Sequence, residues 1–118
     1  MVMPHYLFRA SYTPEAWADF VKNPQNRREA IRPLIAEQGG TLESFYFAFG
    51  PDDIFLTCEL PSDSAAAAIA IAVGAAGFLS SLSTTVLMTA EEAEEAMRLA
   101  AQVKSIRPPG QVRQPAGV

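Results

Sequence analysis

The chain has 118 residues, 49% of them hydrophobic, which is enough for one folded domain and excludes a wholly disordered chain. The net charge of -4 and the pI near 4.9 argue against a nucleic-acid-binding protein, because phosphate binding needs a concentrated basic face. Arg27, Arg28 and Arg32 come nearest to such a face, but Glu29 lies among them, as on a solvated helix.

The single cysteine and the single histidine restrict the chemistry further. Cys58 cannot form a disulfide within the chain, and its apolar strand pattern favours a buried, unreactive thiol. One histidine and one cysteine cannot complete a closed zinc shell, so we expect no metal and no cofactor.

Neither a secretory signal nor a membrane span is predicted. The start of the chain lacks a basic stretch followed by an apolar run. The longest apolar run, 65–79, is mostly alanine and glycine and is too short to cross a bilayer. We therefore expect a soluble, cytoplasmic protein without a membrane partner.

The first strand is predicted at 4–12, and its alternation places Tyr6, Phe8 and Ala10 on one face and His5, Leu7, Arg9 and Ser11 on the other. Thr13-Pro14-Glu15 predicts the start of a helix, since threonine caps and proline suits the first turn. A second helical segment is predicted at 26–38, with Pro33 requiring a kink or a late start.

The clearest strand is predicted at 41–49. Strict alternation puts Phe45, Phe47 and Phe49 on one face and Leu42 and Tyr46 on the other, so both faces are apolar. A short turn at 50–53 leads into a strand at 54–60.

The second half of the chain predicts a helix, a strand and a final helix. The alanine-rich helix, 64–76, has almost no polar face, which predicts burial all round. A strand at 78–88 follows, and Thr89 and Glu92 form a capping box for a helix that runs to about 102.

This order predicts an α+β, ferredoxin-like βαββαβ domain: a four-stranded antiparallel sheet with helices on one face, plus a C-terminal helix. We assign 1–104 to one domain and 105–118 to a disordered tail rich in proline and glycine. Because the sheet face without helices carries aromatic residues, we expect it to pair with a second copy, as a homodimer or higher homo-oligomer. The alternative is that the C-terminal helix covers this face.

Several segments resemble the GYD domain family of small bacterial proteins. They are Tyr6–Pro14, Arg27–Ala30, Gly39–Tyr46, Gly50–Asp53 and Leu87–Glu95. Gly50 and Asp53 match the family signature, whereas Asp52 stands where the family has tyrosine. The resemblance implies a ferredoxin-like fold related to the dimeric α/β barrels. It implies little about activity, although relatives in that wider group include cofactor-independent monooxygenases and heme-degrading enzymes.

A pocket is expected between the sheet face without helices and a helix or a partner's sheet. The residues expected to line it are His5, Arg9, Glu43, Tyr46, Asp53 and Glu59, beside Phe45, Phe47 and Phe55. Alternatives exist for the polar ones: an Arg9–Glu43 ion pair in a subunit interface, an exposed His5 instead of a general base, and turn-forming aspartates.

No catalytic motif is present in the sequence, and the prediction leans against an enzyme. The first hypothesis is an oligomeric module that binds a small apolar or aromatic molecule, or a protein partner, in an aromatic-lined cleft. The second is a cofactor-independent oxidoreductase in which His5 or Arg9 polarises the substrate. The third is a structural assembly protein.

Overall fold

A computed structural model describes residues 3–110. The order of elements is β1 (His5–Tyr12), α1 (Pro14–Lys22), α2 (Arg27–Glu37), β2 (Thr41–Phe47), β3 (Ile54–Glu59), α3 (Asp63–Ala75), β4 (Leu79–Leu87) and α4 (Ala90–Ala100). None of the helices within 3–110 is both long and apolar enough to cross a bilayer. Most of the expected tail, 111–118, lies outside the described residues.

The chain divides into two compact units, Met1–Leu87 and Met88–Val118. The first holds the sheet with α1, α2 and α3. The second holds α4, which begins with the expected capping box: Thr89 Oγ1 accepts from the Glu92 amide, and the Glu92 carboxylate accepts from the Thr89 amide.

The sheet has the order β2-β3-β1-β4, and every neighbouring pair is antiparallel. The connection from β1 to β2 through α1 and α2 skips one strand position, which β3 fills. This is the split βαβ arrangement expected of a ferredoxin-like fold. The predicted α+β, ferredoxin-like fold class is confirmed.

The hydrophobic core lies on one face of the sheet, beneath α1, α2 and α3. Its strand residues follow the alternation predicted for β1 and β3, and its helix residues include Ala16, Ile35 and Ile69. The buried set is Tyr6, Phe8, Ala10, Tyr12, Ala16, Ile35, Leu42, Ile54, Leu56, Cys58, Leu60, Ala66 and Ile69. Each large side chain buried here contributes about 1.5–3 kcal/mol, so this face fixes the fold.

Two predictions about which side of an element is buried are wrong, one for β2 and one for α3. In β2 the pairing register shifts between Leu42 and Ser44, because Glu43 forms a β-bulge. This extra residue puts Leu42, Phe45 and Phe47 together on the helix-covered face, whereas strict alternation separated Leu42 from the two phenylalanines. The strand also ends at Phe47, and Phe49 lies beyond it, fully exposed.

The alanine-rich helix α3 is the second correction. Only Ala66 and Ile69 are buried, and Ile71 on another side of the helix is 71% exposed. A helix that lies on a sheet can bury one stripe of its surface, whatever its remaining composition. The helix α2 begins at Arg27 with Pro33 inside it, so a late start is also wrong.

Candidate functional site

The sheet face opposite α1, α2 and α3, here called the open face, is arranged in three rows across the strands. Residues that alternate with the buried ones on β1 and β3 form it, together with their neighbours on β2 and β4. The rows are Glu59–His5–Leu87; Ser44–Thr57–Leu7–Thr85; and Tyr46–Phe55–Arg9–Ser83. Five of the six polar residues expected at the site lie on this face: His5, Arg9, Glu43, Tyr46 and Glu59. The sixth, Asp53, does not.

The open face is less aromatic than the sequence indicated. Because the bulge turns Phe45 and Phe47 to the covered face, Tyr46 and Phe55 are the aromatic residues of the three rows, and Phe45 and Phe47 lie outside the open face. Hydroxyl groups fill much of the middle row, where Ser44 Oγ and Thr57 Oγ1 lie 2.6 Å apart in a hydrogen bond.

Arg9 lies in the third row, between Phe55 on β3 and Ser83 on β4. Its guanidinium donates to Ser83 Oγ at 3.3 Å and lies 3.7 Å from an Asp52 carboxylate oxygen. Within residues 3–110, its buried Nε has no hydrogen-bond partner. A side chain with five donors is therefore held beside an aromatic ring with much of its hydrogen-bonding capacity left for water or a ligand.

His5, Glu43 and Glu59 form a cluster in the first row. His5 Nδ1 lies 3.0 Å from Glu43 Oε1, and His5 Nε2 lies 3.7 Å from Glu59 Oε1. The cluster depends on the bulge, which adds the Glu43 side chain to the open face. Within one protomer Glu43 contacts His5, and Arg9 contacts Asp52. An Arg9–Glu43 ion pair in a subunit interface stays a prediction.

Asp53 has a structural position instead of a place on the open face. One of its carboxylate oxygens accepts from the Tyr12 amide at 2.9 Å and from the Trp17 indole at 3.3 Å. Its amide donates to the Ala10 carbonyl, and its carbonyl accepts from the Ala48 amide. The residue therefore fastens the β2–β3 connection to β1 and α1.

The sequence profile of the GYD domain matches residues 6–97, which is most of the chain. The chain belongs to the GYD domain family. The expectation drawn from its segments is thereby confirmed, and the Asp53 contacts give a structural reason for an aspartate at that signature position.

Three solved structures align with this GYD domain. The C-terminal domain of the MgtC protein from Mycobacterium tuberculosis is 16% identical, with a TM-score of 0.50, over 72% of this chain and 88% of that one. MtbAldR is 16% identical, with a TM-score of 0.48, over 73% of this chain. This chain spans about half (52%) of the length of MtbAldR. A protein of unknown function from Nitrosomonas europaea is 25% identical with a TM-score of 0.38, over 75% of this chain and 92% of that one. A search of curated proteins found no significant match.

An apolar cavity of about 40 Å³ lies under α2 and α3, between the helices and the covered face. It is lined by core residues such as Phe8, Ile35 and Ile69. Because small-molecule sites have volumes of roughly 300–1,000 Å³, this cavity is a packing gap of the GYD domain.

A second, polar cavity of about 220 Å³ lies along the outer edge of β2, nearer to the size of a ligand site. Arg28 and Arg32 of α2 line it together with five residues of β2, which are Leu42, Glu43, Ser44, Phe45 and Tyr46. Leu42 and Phe45 belong to the covered face and the other three to the open face, so the cavity lies at the edge between the two faces.

Cys58 is not a nucleophile of this site. It is fully buried on the covered face. Burial, followed by the negative charge of Glu43, raises the pKa of its thiol to about 12. The side chain is therefore protonated at neutral pH.

Proposed function

We propose that this GYD domain is a non-catalytic, self-associating module that binds a small aromatic molecule on the open face, with Arg9 as the polar anchor. The observation that carries the proposal is the third row, in which Tyr46, Phe55 and Arg9 occupy directly paired positions on three adjacent strands. Two aromatic rings beside a cation suit a planar ligand with an anionic group, such as an aromatic carboxylate.

The row offers both parts of such a ligand a favourable contact. A ligand ring would bury apolar surface against Tyr46 and Phe55 and would stack on them in an edge-on or offset arrangement. A carboxylate can accept two hydrogen bonds from the Arg9 guanidinium, which is a stronger arrangement than a neutral contact. Asp52, at 3.7 Å from Arg9 Nη1, is beyond hydrogen-bond distance, so an incoming carboxylate competes with a weak ion pair.

Self-association supplies the enclosure that a single sheet face lacks. Ligand sites are concave and bury most of the ligand surface, whereas an isolated sheet face presents Tyr46 with 68% of its surface exposed. A second copy packed against the open face, most simply about a two-fold axis, would turn the third row into a cleft lined from both sides.

The oxidoreductase hypothesis needs His5 or Arg9 to polarise a substrate. The two residues are four apart on β1, which corresponds to about 13 Å along a strand, so each would act without the other. A purely structural assembly remains as an outcome of the experiment below.

Self-association is tested by native mass spectrometry of the purified chain under gentle and denaturing conditions. We expect a dimeric or larger mass, with an additional small-molecule mass that is lost on denaturation. Leu7→Glu places a charge in the middle of the open face and should give a monomer, whereas Val21→Glu, at an exposed position of α1, should not. A wild-type monomer would contradict the proposal, and a multimer without ligand would favour the assembly hypothesis.

Ligand binding is tested by calorimetric titration with 4-hydroxybenzoate as the probe. Arg9→Gln and Tyr46→Ala should each weaken binding about tenfold or more, which is the effect of losing about 1.4 kcal/mol. Lys22→Gln and Phe49→Ala are matched controls, because both positions are exposed and lie off the open face. Equal affinities in all four variants would contradict the assignment of the third row.

A further inference from the structure

We infer that His5, Glu43 and Glu59 form a binding site for one divalent transition-metal cation, with Zn²⁺ as the representative ion. One donor atom of each residue lies within 4.8 Å of the other two donors. This site is in the first row of the open face and is independent of the aromatic ligand proposed for the third row.

The three residues come from three strands, which makes the arrangement a built one. His5 is on β1 and Glu59 is its direct pairing partner on β3. Glu43 is the bulge residue of β2, and without that extra residue strict alternation would not place it beside His5. The pairing of β1 with β3 holds His5 and Glu59 side by side, and Glu43 lies next to them at the bulge of β2.

The distances are close to those of a metal site. Zinc binds imidazole nitrogen and carboxylate oxygen at about 2.0–2.2 Å, so two ligands on one ion can be at most about 4.4 Å apart. Donors within 4.8 Å are near this limit, but Glu43 and Glu59 contact different ring nitrogens of His5, so both carboxylates reach a common ion only after side-chain rotations. The glutamates are free to make them, since their side chains are 35% and 37% exposed.

The charge and the ligand types favour a transition metal. Two carboxylates flank one imidazole, so a divalent cation would balance two negative charges. Imidazole suits zinc, copper, iron and nickel, whereas magnesium and calcium prefer all-oxygen sites. Three protein ligands leave a coordination position for water or another ligand, as in zinc sites that are not purely structural.

This inference departs from the expectation of no metal, which rested on the count of histidine and cysteine. That count excludes a closed shell of nitrogen and sulfur ligands. It does not address an open site with two carboxylates, and sequence alternation did not place Glu43 beside His5.

The inference is tested on the full-length, tag-free chain stripped with EDTA and titrated with ZnCl₂ by calorimetry. We expect one site per chain with a Kd tighter than about 10⁻⁵ M. Glu43→Gln and Glu59→Gln should each weaken binding tenfold or more. Glu37→Gln, an exposed position at the end of α2, is the matched control and should bind as the wild type does.

A second measurement needs no variant, because the chain has one histidine. The imidazole C–H signals in the proton NMR spectrum therefore belong to His5 and should shift until one equivalent of Zn²⁺ is added. Imidazole signals that stay unchanged, or affinities that are equal in the three variants and the wild type, would overturn the inference. Loss of binding in Arg9→Gln, with Glu43→Gln unaffected, would also overturn it.

Discussion

The two faces of this sheet are made by the same four strands but carry different kinds of side chain. On β1 the covered face presents Tyr6, Phe8 and Ala10, all buried, and the open face presents His5 and Arg9 between apolar and hydroxyl residues. The covered face has one requirement, which is to exclude water with the helices above it. The open face is not covered by α1, α2 or α3, so it can hold charges.

This difference separates the residues that specify the fold from those that can bind something. Charged groups on the covered face would lose hydration without a partner, which is costly, and none is found among its buried residues. The charged residues of the open face are partly hydrated and form two groups, His5 with Glu43 and Glu59, and Arg9 with Asp52. The two sites proposed above both belong to this face, one at the start of β1 and the other near its middle.

The largest difference between the faces should appear in two matched leucine truncations. Leu56→Ala, on the covered face, should lower the free energy of unfolding by about 2–5 kcal/mol, because it leaves a cavity in the core. Leu7→Ala, on the open face one strand away, should lower it by less than about 1.5 kcal/mol in the monomer, because its side chain is half-buried. Urea denaturation at low protein concentration measures both.

The same two variants also report on self-association. If a second copy covers the open face, the Leu7→Ala loss should grow with protein concentration, while the Leu56→Ala loss of the protomer should not. Equal losses for the two variants at low concentration would contradict the division between the faces.

Asp53→Ala should have the next largest effect. The carboxylate accepts from the Tyr12 amide and the Trp17 indole, and hydrogen bonds to charged groups contribute about 1.5–3 kcal/mol. We expect a stability loss in that range in urea denaturation, with 4-hydroxybenzoate affinity unchanged at temperatures where the variant is folded. Asp19→Ala, an exposed aspartate of α1, is the control. A folded Asp53→Ala variant that had lost affinity would return Asp53 to the ligand site.

The sequence predicts the fold well because the covered face leaves a simple signal. Alternation over β1 and β3 identifies the buried residues, and Thr13 and Thr89 mark helix starts where their side chains accept backbone hydrogen bonds. Packing against helices requires these patterns, so they can be read without the structure.

The candidate site was less predictable, and β2 shows why. A β-bulge has no sequence signature in Leu42–Ser44, yet it moves two phenylalanines to the covered face and brings Glu43 to His5. The contact between Arg9 and Asp52 depends on how the 50–53 turn folds back, which alternation does not describe. Ser83, which accepts from Arg9, was not singled out because serine in a strand is unremarkable by itself.

Tyr6→Phe should have a smaller effect, since it removes one polar contact of the covered face but keeps the ring. The Tyr6 hydroxyl donates to the Asp63 carboxylate at 2.6 Å and ties β1 to the first turn of α3. Because Asp63 can be solvated by water after the change, we expect a loss of about 1 kcal/mol, measured by urea denaturation. Tyr46→Phe, on the open face, is the control and should change stability little. A loss as large as that of Leu56→Ala would mean that this hydrogen bond organises the core.

Alkaline pH should lower the free energy of unfolding partly through two side chains of the covered face, with no effect near neutrality. Burial raises the pKa of Cys58 from 9.0 to about 12, and burial and then the Asp63 hydrogen bond raise that of Tyr6 from 10.0 to about 12. The unfolded chain therefore loses these protons first, so the stability they support is complete below pH 9 and declines up to pH 12. Lysine titration affects the same pH range, so the measurement is a comparison of urea denaturation curves at pH 8, 10 and 11 for wild type and variants.

Cys58→Ala should reduce the decline in the free energy of unfolding from pH 9 upward, and Tyr6→Phe should reduce it only above pH 10. If both variants lost stability in parallel with the wild type, neither side chain would be kept protonated by the covered face.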